Sequence, residues 1–254
     1  MVDINKYLDA LIELVLAEFK LVYHKSILGL LWAFLSPLLT MLTFFVIFSF
    51  FINLDILNYP FFLLLGILTW NFFNSSTTAC VNALELRKSL IKSINFPREL
   101  IIFSIIITFI LSLIFYILIF FVLMLLFNLN VELITLIQFP LLVIPLIIFA
   151  TGISLALSVL QTKFRDIQYI WGFISGLLFF ITPVFYSVSM VPNWLMPLYL
   201  LNPLAVIITE LRNITLFEAN INLSSLFLVY VIVLVTLFLG HIIFKKIEPS
   251  LGEE

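Results

Sequence analysis

Charged residues divide this chain into six long stretches that carry none: 27–54, 56–84, 100–131, 133–162, 167–209 and 219–244. A helix needs about 20 apolar residues to cross the hydrocarbon core of a bilayer. Backbone polar groups in lipid must find partners inside the protein, so stretches of this kind are held to helix unless other parts of the chain enclose them. Five of the six accommodate one span each, and 167–209 accommodates one or two. The chain is 64% hydrophobic and 10% charged. That is too apolar for a soluble domain. The fold class that follows is an all-α membrane protein.

The basic residues choose the number of spans. With the N-terminus inside and six spans, Lys6, Lys20, Lys25, Arg87, Lys88, Lys92, Arg98, Lys163, Arg165, Lys245 and Lys246 all fall on the inner side. Only Arg212 falls outside, a strong positive-inside bias. Seven spans would move Lys245 and Lys246 outward and Arg212 inward, so six transmembrane helices are expected. The second half of the longest stretch, 187–217, then lies on the outer side. Its Pro192, Pro197 and Pro203 interrupt any continuous helix. Short re-entrant outer helices between spans five and six, packed on protein rather than lipid, are expected there.

Residues 1–25 form no signal peptide, because charges interrupt any apolar core. With a period of 3.6, Asp3, Lys6, Asp9, Glu13, Lys20 and His24 share one face and Ile4, Leu8, Leu11, Val15, Phe19 and Val22 the other. This is an amphipathic helix lying along the membrane interface. Glu18 points toward the apolar side, where it either pairs with a basic group of a neighbouring element or snorkels to water.

The interior lacks the groups that most membrane chemistry needs. No Asp, Glu, Lys or Arg lies deep in an expected span, which speaks against ion coupling and proton relays. One cysteine, Cys80, excludes an internal disulfide, and two histidines, His24 and His241, are too few for a metal site. No phosphate-binding loop is present. Uphill transport by this chain would draw its energy from a partner.

Four features remain as candidates. In the inner segment 85–99, Leu86, Leu90 and Ile94 recur at helical spacing beside Arg87, Lys88 and Lys92. This is either a short helix that docks in a groove of a cytosolic subunit or an interfacial loop that sets orientation. The inner loop 161–167 carries Arg165 and Asp166, as a solvated turn or a second contact. Gly172 and Gly176 form a G-x-x-x-G pattern that permits close helix approach, within the subunit or across a dimer. Aromatic side chains, 29 of them Phe, include Phe44, Phe48, Trp70, Phe73, Phe180, Phe185 and Tyr186. These are either ordinary core and lipid-facing residues or the walls of a conduit for sugar rings, whose C–H faces pack on aromatic faces. Trp194 and Tyr199 also suit an interfacial belt.

Several motifs stand in order along the chain: Leu31-Trp-Ala-Phe-Leu-Ser-Pro37, Asn95-Phe-Pro-Arg-Glu99, Phe164-Arg-Asp-Ile167, Thr182-Pro-Val-Phe-Tyr186 and Leu201-Asn-Pro-Leu204. With the amphipathic N-terminus and six spans, this resembles the type-2 ABC exporter permeases, in the branch that exports O-antigen, capsular polysaccharide and teichoic acids. The resemblance covers nearly all of 1–254 as one permease domain.

The resemblance implies a homodimer in a bacterial inner membrane with both termini cytoplasmic. It implies two copies of a separate ATPase subunit, which would hold ATP and Mg, so this chain would carry no cofactor and no catalytic residue. It implies that 85–99 contains the coupling helix, with Leu86, Arg87, Leu90, Ile94 and Arg98 at the contact. It implies that 187–217, with Pro192, Trp194, Pro197 and Tyr199, forms an outer gate. The substrate would be a polysaccharide on undecaprenyl pyrophosphate, with no role for nucleic acid. Lys25, Lys88 and Arg98 are candidates for guiding its pyrophosphate, or they only set topology. Two other readings stay open. One is the same fold exporting a small hydrophobic drug or lipid, and the other is a scaffold subunit without transport.

Overall fold

A computed structural model describes residues 4–23, 29–51, 56–93 and 96–249, and every regular element among them is helical. In chain order they are α1 (Ile4–Tyr23), α2 (Gly29–Val46), α3 (Tyr59–Val81), α4 (Ala83–Leu86), α5 (Lys88–Ser93), α6 (Glu99–Leu126), α7 (Leu133–Lys163), α8 (Ile167–Ile181), α9 (Met196–Leu200), α10 (Pro203–Leu216) and α11 (Leu223–Ile247). A π-helical turn, Ile47–Phe51, extends α2, and a 3-10 turn, Val188–Met190, precedes α9.

Helices α6, α7 and α11 are long and apolar enough to cross a membrane. At 1.5 Å per residue the 28 residues of α6 reach about 42 Å, beyond the ~30 Å hydrocarbon core. Their outer faces keep large apolar side chains exposed, among them Leu118, Leu125, Ile137 and Phe238. Pro140 and Pro145 lie inside α7. A lipid-facing helix tolerates such residues where neighbouring helices enclose the freed carbonyls.

Helix α3 is built differently. It is enclosed from Phe62 to Trp70, and it touches α2, α6, α7, α8 and α10. A helix wrapped by protein needs no lipid-compatible face. Its second half carries Asn71, Asn74 and the run Ser75-Ser-Thr-Thr78, of which Ser76 and Thr77 are buried and Ser75 and Thr78 exposed. Ser76 and Thr77 donate back to the Phe73 carbonyl at 3.1 and 2.8 Å, and Thr69 to the Leu65 carbonyl at 2.8 Å. This back-bonding is the usual way a hydroxyl satisfies itself within a helix.

Two helix pairs frame this axis. α7 and α11 pack at backbone distance where Gly152 faces Gly240: a Cβ on Gly240 would stand 2.1 Å from the Gly152 carbonyl oxygen. Small residues allow this approach where no hydrophobic effect drives helices together. α1 packs on α6 and the Tyr23 hydroxyl bonds to that of Ser112, about 20 Å into α6 by helix rise. Leu11, Val15 and Phe19 are half-buried, while Leu8, Ile12 and Leu16 form a second, exposed apolar stripe. The interfacial helix expected over 1–25 is thus amphipathic as anticipated from its period, but its far end leans into the bundle.

Segment 187–217 is a chain of short helices, and its prolines start helices as well as end them. Pro197 and Pro203 each stand in the first turn of α9 and α10, where a missing N–H costs nothing. α10 is buried along most of its length against α3 and α7.

Candidate functional site

The bundle has one basic end and one opposite end. At the basic end, the segment expected to form a single amphipathic helix breaks in two at Arg87, which caps α4 in a non-helical conformation. Arg87 forms an ion pair with Glu18 of α1. Of the two readings of Glu18, pairing with a neighbouring element is the one realised. Burial pulls the Arg87 guanidinium below its ordinary pKa, and the adjacent Glu18 carboxylate opposes that shift by favouring the charged form. Leu86 is exposed, with 78% of its surface open at the basic end. Leu90 is half-buried, and Lys88 is exposed. Ile94 and Lys25 lie outside the described residues.

Arg98 is half-buried and donates through Nη1 to the Glu248 carbonyl, so one of its donors is held by the end of α11. The Glu99 carboxylate sits 3.1 Å from Lys245 Nζ and 3.3 Å from His241 Nδ1, and Lys245 is also 3.0 Å from Glu248. These contacts clamp the start of α6 to the end of α11. The inner loop 161–167 is tied in as well. Asn82, at the end of α3, donates to Gln168 Oε1 at 3.1 Å. The Gln168 N–H donates to buried Gln161 Oε1 at 2.9 Å, and Gln161 Nε2 donates to the Arg165 carbonyl at 3.3 Å. α8 therefore leaves the basic end hydrogen-bonded to the residue that precedes α4.

Between the ends lies an aromatic cluster. Phe44 and Phe48 of the α2 region stack on Phe185 with centroids 5.8 and 4.9 Å apart. Phe180 and Tyr186 meet Phe185 edge-on at 6.1 and 5.1 Å. Phe179, which the sequence reading did not single out, stacks on Phe44 at 5.9 Å and meets Trp70 at 5.4 Å. Phe180 remains exposed. Phe73 sits deeper, 5.9 Å from Trp70. It is fully buried, stacked on Phe149 at 5.3 Å, and reaches no surface of the subunit.

α8 presents one broad unpartnered face. It packs inward through Trp171 and Ser175, while Tyr169, Phe173, Leu177 and Phe180 are exposed. A Cβ added at Gly172 or Gly176 would meet nothing within 4 Å. The G-x-x-x-G pattern thus serves no packing among the described residues.

At the opposite end, the residue that organises the structure is one the sequence reading passed over. Arg212 of α10 is almost fully buried. Its Nε and Nη2 donate to the Phe62 carbonyl at 3.1 and 3.0 Å, Nη1 to the Pro183 carbonyl at 2.6 Å, and Nη2 to the Val184 carbonyl at 2.6 Å. The guanidinium also lies 3.3 Å from the Phe62 ring centroid, a cation–π arrangement. Gly66 makes room for it, since a Cβ there would stand 2.6 Å from Nη2 and 2.7 Å from the Val184 oxygen. One side chain thus fastens α3, the exit of α8 and α10 together. Around it, Tyr59 donates to the Phe185 carbonyl at 2.8 Å, and Asn202 donates to the Thr182 hydroxyl at 3.0 Å. Tyr186 bonds to the Tyr199 hydroxyl. Of the residues expected at an outer gate, Tyr199 is therefore tied to the aromatic cluster, while Pro192, Trp194 and Pro197 are exposed. The signal for Arg212 was present in the sequence: it is the one basic residue that breaks an otherwise uniform inner placement.

Among the described residues no three His, Cys, Asp or Glu side chains converge on a metal-binding arrangement. The site thus gathers aromatic side chains in the middle of the bundle and cations at its basic end.

Comparison with known proteins agrees in kind. The family model described as ABC-2 type transporter matches residues 9–216. The chain is 30% identical over 195 residues to the O-antigen export system permease protein RfbA of Myxococcus xanthus, covering 75% of this chain and 73% of the relative. Two proteins of the same name from Klebsiella pneumoniae are 27% and 28% identical over 245 residues, each covering 96% of this chain and 94% of the relative.

Proposed function

We propose, from the premise that this chain belongs to the ABC-2 type transporter family, that it is the membrane subunit of an exporter for O-antigen-type polysaccharide. The observation that carries the reading is the similarity to O-antigen export permeases over 96% of the chain. Those relatives favour a polymer over a small hydrophobic drug. They also favour transport over a scaffold role.

In this reading the basic end is cytoplasmic in a bacterial inner membrane, as the positive-inside bias supports. Six spans cross the bilayer, formed by α2 with its π-helical extension, α3, α6, α7, α8 and α11. α9 and α10 form the outer segment, and the exposed stripe Leu8, Ile12 and Leu16 of α1 meets lipid. Two copies associate through the unpartnered face of α8, which supports a twofold arrangement. The cluster of Phe44, Phe48, Phe179, Phe180, Phe185 and Tyr186 then stands beside the polymer's path. Flat aromatic faces offer sugar rings contact without deep binding minima.

Energy comes from two ATPase subunits, which hold ATP and Mg, docked at α4 and α5. Exposed Leu86 is the apolar contact, and Arg87, Leu90 and Ile94 support it. A shift of this segment reaches α1 through the Glu18–Arg87 pair and α8 through Asn82 and Gln168. It biases the conduit between closed and open states. The polysaccharide travels on undecaprenyl pyrophosphate, with Lys25, Lys88 and Arg98 at headgroup level.

The test is complementation. A strain deleted for its O-antigen permease, supplied with this chain and its cognate ATPase, regains surface polymer. Leu86→Asp abolishes this and separates the ATPase on purification. Absence of surface polymer with a correctly inserted, ATPase-bound chain would sink the proposal.

A further inference from the structure

An open cavity formed by described residues lies away from the aromatic cluster. Its volume is about 440 Å³, within the ~300–1,000 Å³ range of small-molecule sites. It opens at the end opposite the basic one, where α3 begins and α6 and α10 finish. Leu57 and Asn58 come from the entrance to α3, Asn128 and Asn130 from the exit of α6, and Phe217 and Glu218 from the exit of α10.

Among the described residues the non-glycine residues with positive φ are Asn58, at 51°, Asn128, at 56°, and Glu218, at 50°. All three line this cavity. Each backbone conformation has a local reason. The Asn58 carbonyl accepts the Phe61 and Phe62 N–H groups and opens α3. Asn128 closes α6, with the Leu129 N–H on the Met124 carbonyl at 2.9 Å and its own N–H on the Leu125 carbonyl at 3.1 Å, a Schellman arrangement. Glu218 follows α10, and the next N–H, from Ala219, reaches back to the Asn213 carbonyl at 2.9 Å. Glycine would satisfy all three positions without steric cost. The chain places two amides and a carboxylate there instead. Glutamate in particular gains nothing in the left-handed region. Among the described residues no hydrogen bond engages the side chains of Asn58, Asn128, Asn130 or Glu218. Asn128, Asn130 and Glu218 are exposed and Asn58 is half-buried, so their polar groups are open to a ligand, and strained backbone positions gathered on one cavity point to a binding site.

The lining selects the ligand. Amides donate and accept at once, and a carboxylate accepts from two donors. Together they match vicinal hydroxyl groups. Leu57, Leu129 and Phe217 offer apolar surface for C–H faces. Among the described lining residues Glu218 is the one anion and there is no cation, so phosphate and pyrophosphate are disfavoured. A single carboxylate among neutral amides is a poor cage for a divalent ion. We infer that this is a saccharide site on the outer face, which engages a short stretch of the emerging polymer by its hydroxyl groups. The inference rests on the export reading above.

Glycine substitutions test it, because they preserve the backbone and remove only the side chains. The permease–ATPase complex in nanodiscs is titrated calorimetrically with delipidated polysaccharide from the host's own surface polymer. The wild type binds saturably. Asn58→Gly, Asn128→Gly and Glu218→Gly each weaken binding about tenfold, the loss of one hydrogen-bond partner of the ligand, with melting temperature and ATP turnover unchanged. Binding that survives all three substitutions overturns the site, and so does saturable calcium binding that Glu218→Gln abolishes. Surface polymer in the complemented deletion strain is scored separately. If the wild-type chain exports polymer while binding is indifferent to the variants, only the saccharide site fails. If the wild-type chain exports none, the export reading fails and takes this inference with it.

Discussion

Arg212 and Gly66 form a unit although 145 residues separate them. A guanidinium in a protein interior needs its donors satisfied, and here backbone carbonyls of Phe62, Pro183 and Val184 do it. Arg212→Leu leaves these carbonyls unpaired, and Arg212→Lys cannot reach both sides of the fork. Each should destabilise the protein by on the order of 3 kcal/mol, read as a loss of detergent-phase melting temperature. Gly66→Ala should do the same by displacing the guanidinium. An Arg212→Leu protein with wild-type melting behaviour would show that the carbonyl cage contributes nothing. Glu18 and Arg87 make a second residue-scale case. Both side chains are largely enclosed, 10% and 16% exposed. Glu18→Gln strands a cation and should cost about 3 kcal/mol, while Glu18→Gln combined with Arg87→Met should recover part of it. A double-mutant cycle measures the coupling, and a value near zero would mean the pair is decorative.

Helices in this protein are placed by their poorest membrane formers. α3 has the most polar second half of the long helices, and there protein buries Ser76 and Thr77 while Ser75 and Thr78 stay exposed. α7 and α11 meet through Gly152 and Gly240, where no side chain intervenes. Gly240→Ala inserts a methyl group 2.1 Å from a backbone oxygen, so the two helices must separate. We expect a loss of about 3 kcal/mol and a protein that exchanges α11 backbone amides faster in hydrogen–deuterium exchange. Unchanged protection would show that the helices shift without penalty. By contrast Gly172 and Gly176 should accept alanine with no effect on subunit stability, because none of the described residues would touch the added methyl group.

At the scale of the whole molecule, two tied ends enclose an aromatic middle, and one flank of α8 faces nothing. Cys80 is buried, so a single exposed cysteine can be introduced with little background. Phe173→Cys on that flank should form a disulfide-linked dimer in native membranes under mild oxidation. Phe238→Cys on α11, equally exposed, should not. Cross-linking at both positions, or at neither, would place the dimer contact elsewhere.

The sequence alone determined the class of the molecule, the amphipathic N-terminal helix and the proline-broken character of 187–217. These depend on composition and period within a short window, and lipid punishes any local departure from them. The motifs in order pointed to the family that the comparisons then matched. Only the tertiary structure decided the partners. It chose Arg87 for Glu18, gave Arg212 three carbonyls, removed Phe73 from the surface and brought Phe179 into the aromatic cluster. It matched Gly152 with Gly240, which no motif links, and left Gly172 and Gly176, which a motif does link, without a neighbour. It also gathered three left-handed residues from three helix ends around one cavity. Each of these contacts joins segments distant in the chain, and its energy depends on what encloses it, so no local pattern records it.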